Sequence, residues 1–336
     1  MIRFGMCGCG GFIERAILPS IRDIQAAAVA AFDVNIDRVG KVSDLFGITH
    51  RCSTFEELLL VKDVDALYIA SPNVLHKAQT IAAAEAGKHV FCQKPLGMNA
   101  AECVEMIAAC RANSVRLGVG FCYRFGGAQQ KAKEMIRQGV IGDVSLIHFT
   151  FDLGDFYNKN KNTAGWRVDP RMSGGGPLMD LAPHMIDLAS FFLDDKVESA
   201  MAYVRPEPSE TEIEMDVLAS MQFRGGARMS MDTSFLRCST HGYTIVGRKG
   251  RIHGHGTMPW RTNGKPLGTL ALEIDGRIKA MEFSGHEHLE QEISLYCKAI
   301  EDNSEPPVPG EAGLHAQSVV DAIYESGRTG RLCTVK

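Results

Sequence analysis

The segment from Met1 to Ile17 constrains this chain more than any other. A short apolar run, Ile2 to Cys7, ends in the cluster Gly8-Cys9-Gly10-Gly11 and then turns amphipathic through Phe12, Ile13 and Ile17. That order of residues describes a strand, a tight turn and a helix. Gly8 and Gly10 stand at the first two positions of GxGxxG, where missing side chains let the backbone turn sharply and approach a pyrophosphate. The helix that follows would aim its first amides and its partial positive charge at the same group. Ile13 holds the third position, where Gly or Ala is usual, so the turn taken alone also fits a plain strand-to-helix connection. Gly8, Gly10, Gly11, Phe12 and Ile13 are the candidate cofactor-facing residues of this segment.

The residues after it weigh toward a nucleotide. Ala26 to Phe32 reads as a second strand ending on Asp33, 25 residues past Gly8 and close to the ~20 expected for the acid that takes the adenosine ribose hydroxyls. A carboxylate there accepts bonds from the 2′ and 3′ hydroxyls and repels a 2′-phosphate, which favours NAD over NADP. Arg38, five residues on, keeps NADP open. The pattern then alternates: a helix near Asp37 to Phe46, a short segment at Arg51 to Ser53, a helix at Phe55 to Leu60 and a buried strand at Asp65 to Ala70. That strand ends in Ser71-Pro72-Asn73, and His76 opens the next helix, which Gly87 closes. The strand Lys88 to Cys92 delivers Gln93-Lys94-Pro95 to the same edge. Open α/β sheets bind ligands at the carboxyl ends of their strands, so Ser71, Pro72, Asn73, His76, Gln93 and Lys94 join the cofactor candidates. A helix from Asn99 to Ala112 and a strand at Val115 to Gly120 complete a doubly wound parallel unit, residues 1–122.

Beyond it the pattern changes. A helix at Ala128 to Gln138 and an alternating strand at Val144 to Phe151 precede a polar stretch, Gly154 to Gly176, long enough to be functional or mobile. An apolar helix to Leu193 and strands at Val197 to Val204, Ile213 to Phe223, Ala227 to Phe235, Tyr243 to Val246 and Leu270 to Phe283 predict an antiparallel sheet. Helices at Leu289 to Glu301 and Glu311 to Ser326 flank a Pro306 to Pro309 linker. Residues 123–336 form the second domain on this reading. A length of 336 residues suits two domains.

Two places carry residues suited to chemistry. Lys94 ends a strand and is braced by Pro95; a lysine beside a cofactor can donate a hydrogen bond or carry a proton. Asp180, His184 and Asp187, spaced i, i+4, i+7, fall on one face of a helix, where flanking carboxylates would tune the imidazole as an acid or base. Tyr157, Trp166 and Arg167 in the polar stretch are candidates for a substrate wall, with Arg124 and Asn73 beside them; aromatic rings suit a sugar's apolar face. The ten cysteines include no CxxC pair and fall mostly in apolar segments, as reduced structural thiols do. The pairs His253/His255 and His286/His288 have no third ligand at short spacing, so no metal is expected. A net charge of −4 leaves no basic surplus for nucleic acid. Without a charged leader, an h-region or a run of about 18 apolar residues, the chain reads as cytoplasmic with no membrane partner.

Taken in order, Gly8-Cys-Gly10, Asp33, Ser71-Pro-Asn73 with His76, Ala86-Gly-Lys-His-Val90 leading to Gln93-Lys94-Pro95, Tyr123-Arg124-Phe125, Trp166-Arg167, Gly174-Gly-Gly176 with Asp180 and His184, and Tyr324-Glu-Ser326 with Thr329-Gly330 resemble the glucose-fructose oxidoreductase, inositol dehydrogenase and rhizopine catabolism (Gfo/Idh/MocA) family. The resemblance spans nearly the whole chain. It implies an N-terminal Rossmann domain, a C-terminal α+β domain with a large open, mostly antiparallel sheet, and NAD. Lys94, Asp180 and His184 would be catalytic: His184 exchanging the hydroxyl proton, Lys94 bonding the reacting oxygen, Asp180 orienting the site. Tyr123 and Arg124 would join Tyr157, Trp166 and Arg167 at the substrate. Open sheet faces in this family commonly build dimers or tetramers, and the apolar run 213 to 235 could do so here. The family's usual Glu-Lys-Pro is Gln93-Lys94-Pro95 in this chain, which removes a negative charge beside the lysine.

The expected activity is hydride transfer between a nicotinamide cofactor and a secondary hydroxyl of a sugar, cyclitol or related polyol. Two rivals stand beside it: an enzyme that keeps NAD bound and oxidises its substrate transiently, as for glycosidic cleavage, and a nucleotide-binding sensor without turnover.

Overall fold

Strand β1 (Ile2–Cys7) is buried along its whole length apart from Arg3, which explains why the sequence there is mostly apolar instead of alternating. Five more strands, β2 (Ala26–Phe32), β3 (His50–Cys52), β4 (Ala66–Ile69), β5 (His89–Gln93) and β6 (Leu117–Gly120), join it in the order β3-β2-β1-β4-β5-β6, every pair parallel. The computed structural model describes residues 1–24, 26–154, 165–206, 213–255, 268–283 and 288–336.

Between these strands run a π-helical turn, Ile13–Ile17, that continues as α1 (Leu18–Arg22), then α2 (Ile36–Phe46), α3 (Phe55–Leu60), α4 (His76–Glu85) and α5 (Ala100–Ala112). Their starts are written in the sequence. Asn35, Thr54 and Asn99 each accept a hydrogen bond from a backbone N–H of the first turn they precede. The strand order reverses at β1 and β4, so the loops after these strands diverge and leave a crevice at their carboxyl ends.

A second sheet has nine strands. Helix α6 (Gly127–Arg137) leads into β7 (Val144–Asp152); α7 (Pro170–Ser173), α8 (Pro177–Asp180) and α9 (Ala182–Leu193) follow. Strands β8 (Val197–Pro206), β9 (Glu214–Phe223), β10 (Arg228–Ser234), β11 (Thr240–Gly247), β12 (Arg251–His255), β13 (Gly268–Ile274) and β14 (Arg277–Phe283) precede helices α10 (His288–Glu301) and α11 (Gly310–Thr329) and the short β15 (Cys333–Thr334). The order is β14-β13-β12-β11-β7-β10-β9-β8-β15, antiparallel throughout except where β7 runs parallel to β10. The apolar stripe of α9, with Met185, Ile186, Leu188 and Phe192 buried, covers one face, and Phe192 packs 5.1 Å from the Tyr243 ring. On the other face Met201, Tyr203 and Leu218 are exposed.

Two differences from the sequence reading stand out. Leu270 to Phe283 is not one strand but the hairpin β13–β14, closed by Asp275 and Gly276, both at positive φ (49° and 72°); Asp-Gly is a two-residue hairpin turn. The chain also divides into two units, Met1–Cys122 with Leu289–Leu314 and Tyr123–His288 with His315–Lys336, whereas the sequence places everything after residue 122 in the second domain. Ile293, Tyr296 and Cys297 of α10 lie in the core of the first unit. The Tyr296 ring is 5.0 Å from Phe91 and 6.4 Å from Phe4, and a Cβ at Gly118 would sit 2.7 Å from it. A late helix that returns to an early sheet leaves no local mark, because amphipathic spacing states that a face is buried and not against what.

Candidate functional site

In the first unit the glycine turn is built tightly. Gly8 takes φ +96°, and a Cβ there would lie 2.9 Å from the Ala70 carbonyl oxygen at the end of β4. Its N–H donates to the Phe32 carbonyl (2.8 Å). Gly10, by contrast, faces open space, since a Cβ there would meet nothing within 4 Å. Backbone closed on one side and bare on the other is what a dinucleotide pyrophosphate needs in order to approach the amides. Asp33 holds the turn: its Oδ2 accepts from the Cys9 N–H (2.7 Å) and its Oδ1 from the Asn35 N–H (2.8 Å). Each oxygen keeps a second lone pair for a ribose hydroxyl. The Arg38 guanidinium lies 3.9 Å from Oδ1. These residues fit a nicotinamide dinucleotide.

Ile13 points into the core, 1 % exposed, and Phe12 packs against the same cluster. The Ile13 side chain is therefore structural, and only its backbone is left for a cofactor. The helix opens there as a π turn, one residue wider per turn than an α-helix, which makes room for a bulky side chain where Gly or Ala is usual.

The strand-end loops are tied together by His76. Its Nδ1 lies 2.9 Å from the Pro95 carbonyl oxygen and its Nε2 3.0 Å from that of Ser71. Burial pushes this imidazole below its ordinary range, against the pull of the backbone carbonyls, and the ring sits between the loops after β4 and β5. Ser71 donates its hydroxyl to Gln79 (2.6 Å). Lys94 follows β5, half-buried and joined to Pro95 by a cis peptide bond. Gln93, expected at the nucleotide edge, instead donates its amide N–H to the Tyr68 hydroxyl (2.6 Å), and Gly120 leaves room for it beside β6.

In the second unit Asp180 and His184 do not share one helix. Asp180 ends α8, Leu181 intervenes, and α9 begins with Ala182 and Pro183. Proline has no N–H to continue the earlier turn, so Pro183 is the signal that the i, i+4, i+7 count overlooked. The imidazole of His184 lies under the Tyr123 ring, centroids 4.3 Å apart. Asp187, one turn on, is buried and held by Arg124, whose Nε donates to Oδ2 (2.7 Å) while a terminal nitrogen donates to Oδ1. Burial still raises the Asp187 carboxyl above its ordinary range, against the lowering by Arg124. Tyr123 and Arg124, expected to bind substrate, contact α9 at His184 and at Asp187.

A cavity of about 30 Å³ opens beside His184, lined among others by Tyr123, Phe149, Phe151, Met185 and His241. His241 and Phe151 were not legible in the sequence, because on a strand nothing separates a cavity-lining aromatic from a core one. Trp166 and Arg167 lie together in a short turn, the guanidinium 4.5 Å from the indole ring centre. Tyr157 and His286 lie outside the described residues. His253, one half of a candidate metal pair, bonds Thr244 and Glu273 instead (3.1 Å each), and among the described residues no group of three His, Cys, Asp or Glu could hold a metal. No helix among them is long and apolar enough to cross a membrane.

Both units have counterparts among known proteins. Residues 2–121 match the oxidoreductase family's NAD-binding Rossmann fold, and residues 133–336 match its C-terminal alpha/beta domain. The 1,5-anhydro-D-fructose reductase of Ensifer adhaerens is 26% identical over 341 residues, covering 100% of this chain and 99% of the relative. An NADP-dependent D-xylose 1-dehydrogenase of Haloferax volcanii is 28% identical, with 97% and 98% covered. The crystal structure of the aldose-aldose oxidoreductase of Caulobacter crescentus, complexed with glycerol, superposes with a TM-score of 0.89 at 24% identity, over 99% of each chain. With both of its units matched, and with an Asp33-clamped glycine turn at the switch point of its parallel sheet, this chain belongs to the Gfo/Idh/MocA family of NAD(P)-dependent oxidoreductases.

Proposed function

We propose that this protein oxidises a secondary hydroxyl of a sugar, cyclitol or related polyol, or reduces the corresponding ketone, with Lys94, Asp180 and His184 as its catalytic residues. The observation that carries the reading is His184, half-buried beside a small aromatic cavity with the Tyr123 ring against it. An imidazole exchanges a hydroxyl proton near neutral pH, and the cavity beside it has room for one water rather than for a sugar ring. The two relatives named above act on sugars, as their names state.

When bound, the nicotinamide supplies the hydride acceptor or donor. The amides of the Gly8 to Gly11 turn take the pyrophosphate, and Asp33 takes the ribose hydroxyls. Lys94 donates a hydrogen bond to the reacting oxygen and favours its negative charge. His184 removes the hydroxyl proton in oxidation and returns it in reduction. Asp180 orients the site. Trp166 contributes an apolar wall and Arg167 a charged rim.

Asp33 favours NAD. The test is a panel of sugars and cyclitols with NAD and NADP, read by reduced nicotinamide. Turnover with NAD is expected, at a higher kcat/KM than with NADP. No reduction with any polyol, or a preference for NADP, contradicts the respective part.

The chain also assembles with copies of itself through the open face of the nine-stranded sheet on this reading, since Met201, Tyr203 and Leu218 form an exposed apolar row across β8 and β9. Tyr203, 76 % exposed, is the place to break it. Tyr203→Glu is expected to halve the sedimenting mass or reduce it further; an unchanged mass, or a monomeric wild type, removes this face as the interface.

A further inference from the structure

Glu214, the first residue of β9, is 6 % exposed, and no step of the proposed reaction uses its carboxylate. Its Oε1 accepts hydrogen bonds from the backbone N–H groups of Gly176 and Leu178, both at 2.9 Å. Gly176 is the N-cap of α8 and has no side chain to satisfy the amides that every helix start leaves free. A Ser, Asp or Asn normally does that from within the chain segment. Here the acceptor comes from a strand 38 residues away.

The glycines make the approach possible. A Cβ on Gly176 would run into the Glu214 backbone carbonyl oxygen, and one on Gly175 into the Tyr324 hydroxyl. Tyr324, from α11, steadies the charged form of Glu214, and Asp321 of the same helix acts in turn on Tyr324. Gly175 and Gly176 also leave room for the carboxylate itself, which a Cβ on either would meet at 3.1 Å and 3.3 Å.

What that carboxylate holds is the start of the segment bearing Asp180 and His184. Helix α8 has four residues, too few to hold a helical turn unaided. Asp180 is its last residue; Leu181 donates back to Pro177 (2.8 Å) and His184 to Leu181 (3.2 Å). Each link of that chain is backbone, so a shift at Gly176 passes directly to both side chains.

We propose that Glu214 is a positioning residue: by capping α8 from β9, its carboxylate sets the placement of Asp180 and His184. The catalytic consequence rests on the hydride-transfer reading; the cap itself does not.

Burial raises the Glu214 carboxyl above its ordinary range, the backbone amides and Tyr324 pulling the other way. An acid whose folded value is raised contributes stability that is full below its unfolded value, about 4.3, and is lost as pH rises through the folded value. Glu214→Gln keeps the shape and one carbonyl acceptor while removing the charge.

Two readouts on full-length protein test the proposal. Amide hydrogen exchange in the segment 174–181 is expected to run about tenfold faster in Glu214→Gln than in wild type at pH 8, because a charge-assisted bond is roughly twice as strong as a neutral one. On a substrate found by the polyol panel, kcat is expected to fall about tenfold while KM stays within about twofold, the signature of misplaced catalytic groups. Unchanged exchange overturns the cap. Faster exchange with unchanged kcat, in a protein that His184→Ala inactivates, overturns the positioning role. A wild type inert on every polyol defeats the hydride-transfer reading and its catalytic consequence, and the exchange readout still judges the cap.

Discussion

Lys94→Ala is expected to lower kcat by about 10²–10⁴, the usual worth of a positioned proton donor or acceptor, while NAD binding measured by fluorescence titration changes only a few-fold. The lysine follows β5 directly and is joined to Pro95, whose carbonyl is held by His76. Its backbone is thus anchored on both sides, and a thermal melt of the variant checks that the fold survives truncation. His184→Ala is expected to lose a similar factor. Because the two residues serve one proton-transfer event on this reading, the double variant should be little slower than either single one, as for groups that act as a unit. Strictly multiplicative losses, or full activity in either single variant, would remove that residue from the chemistry.

Arg124→Ala should be the most destabilising of the substitutions considered, by about 3–5 kcal/mol, the range for removing one partner of a buried ion pair. Asp187 is 4 % exposed, and without the guanidinium it would be an uncompensated buried charge. Its carboxyl is already raised by burial despite that partner, so the sign with pH is fixed. Stability is retained at low pH, where the lone Asp187 is protonated, and lost as pH rises through its raised value. Chemical denaturation at pH 5 and pH 8 should therefore show the smaller deficit at pH 5. Arg124→Leu combined with Asp187→Leu should recover most of the loss, because apolar replacement of both partners leaves no charge to solvate. An equal deficit at both pH values would mean that the pair is not what holds α9.

Much of the first unit was legible because its information is local. The apolar runs, the capping residues Asn35, Thr54 and Asn99, and Gly87 mark where each element starts and stops. The acid after β2 and the residues after β4 and β5 are placed at one edge by the topology of any doubly wound sheet. The second unit was legible as strands in series, but not its parallel β7–β10 pair or the return of α10 to the first sheet.

Roles within the candidate site needed coordinates. Gln93, Phe12, Ile13, Tyr123 and Arg124 sit in the right motifs, yet their side chains turn toward Tyr68, the core, His184 and Asp187. The break at Pro183 separated two residues that helical spacing had joined.

The sequence by itself determined the element types, the nucleotide-binding edge and the family, because periodicity, caps and motif order are properties of neighbouring residues. Only the tertiary structure decided which side chains serve as struts, which helix belongs to which sheet, and that Glu214 caps the helix that ends on Asp180. Those facts depend on pairs such as Phe4 with Tyr296 or Gly176 with Glu214. The members of such pairs are chosen by packing and by the need to satisfy buried polar groups, and sequence separation carries no trace of either.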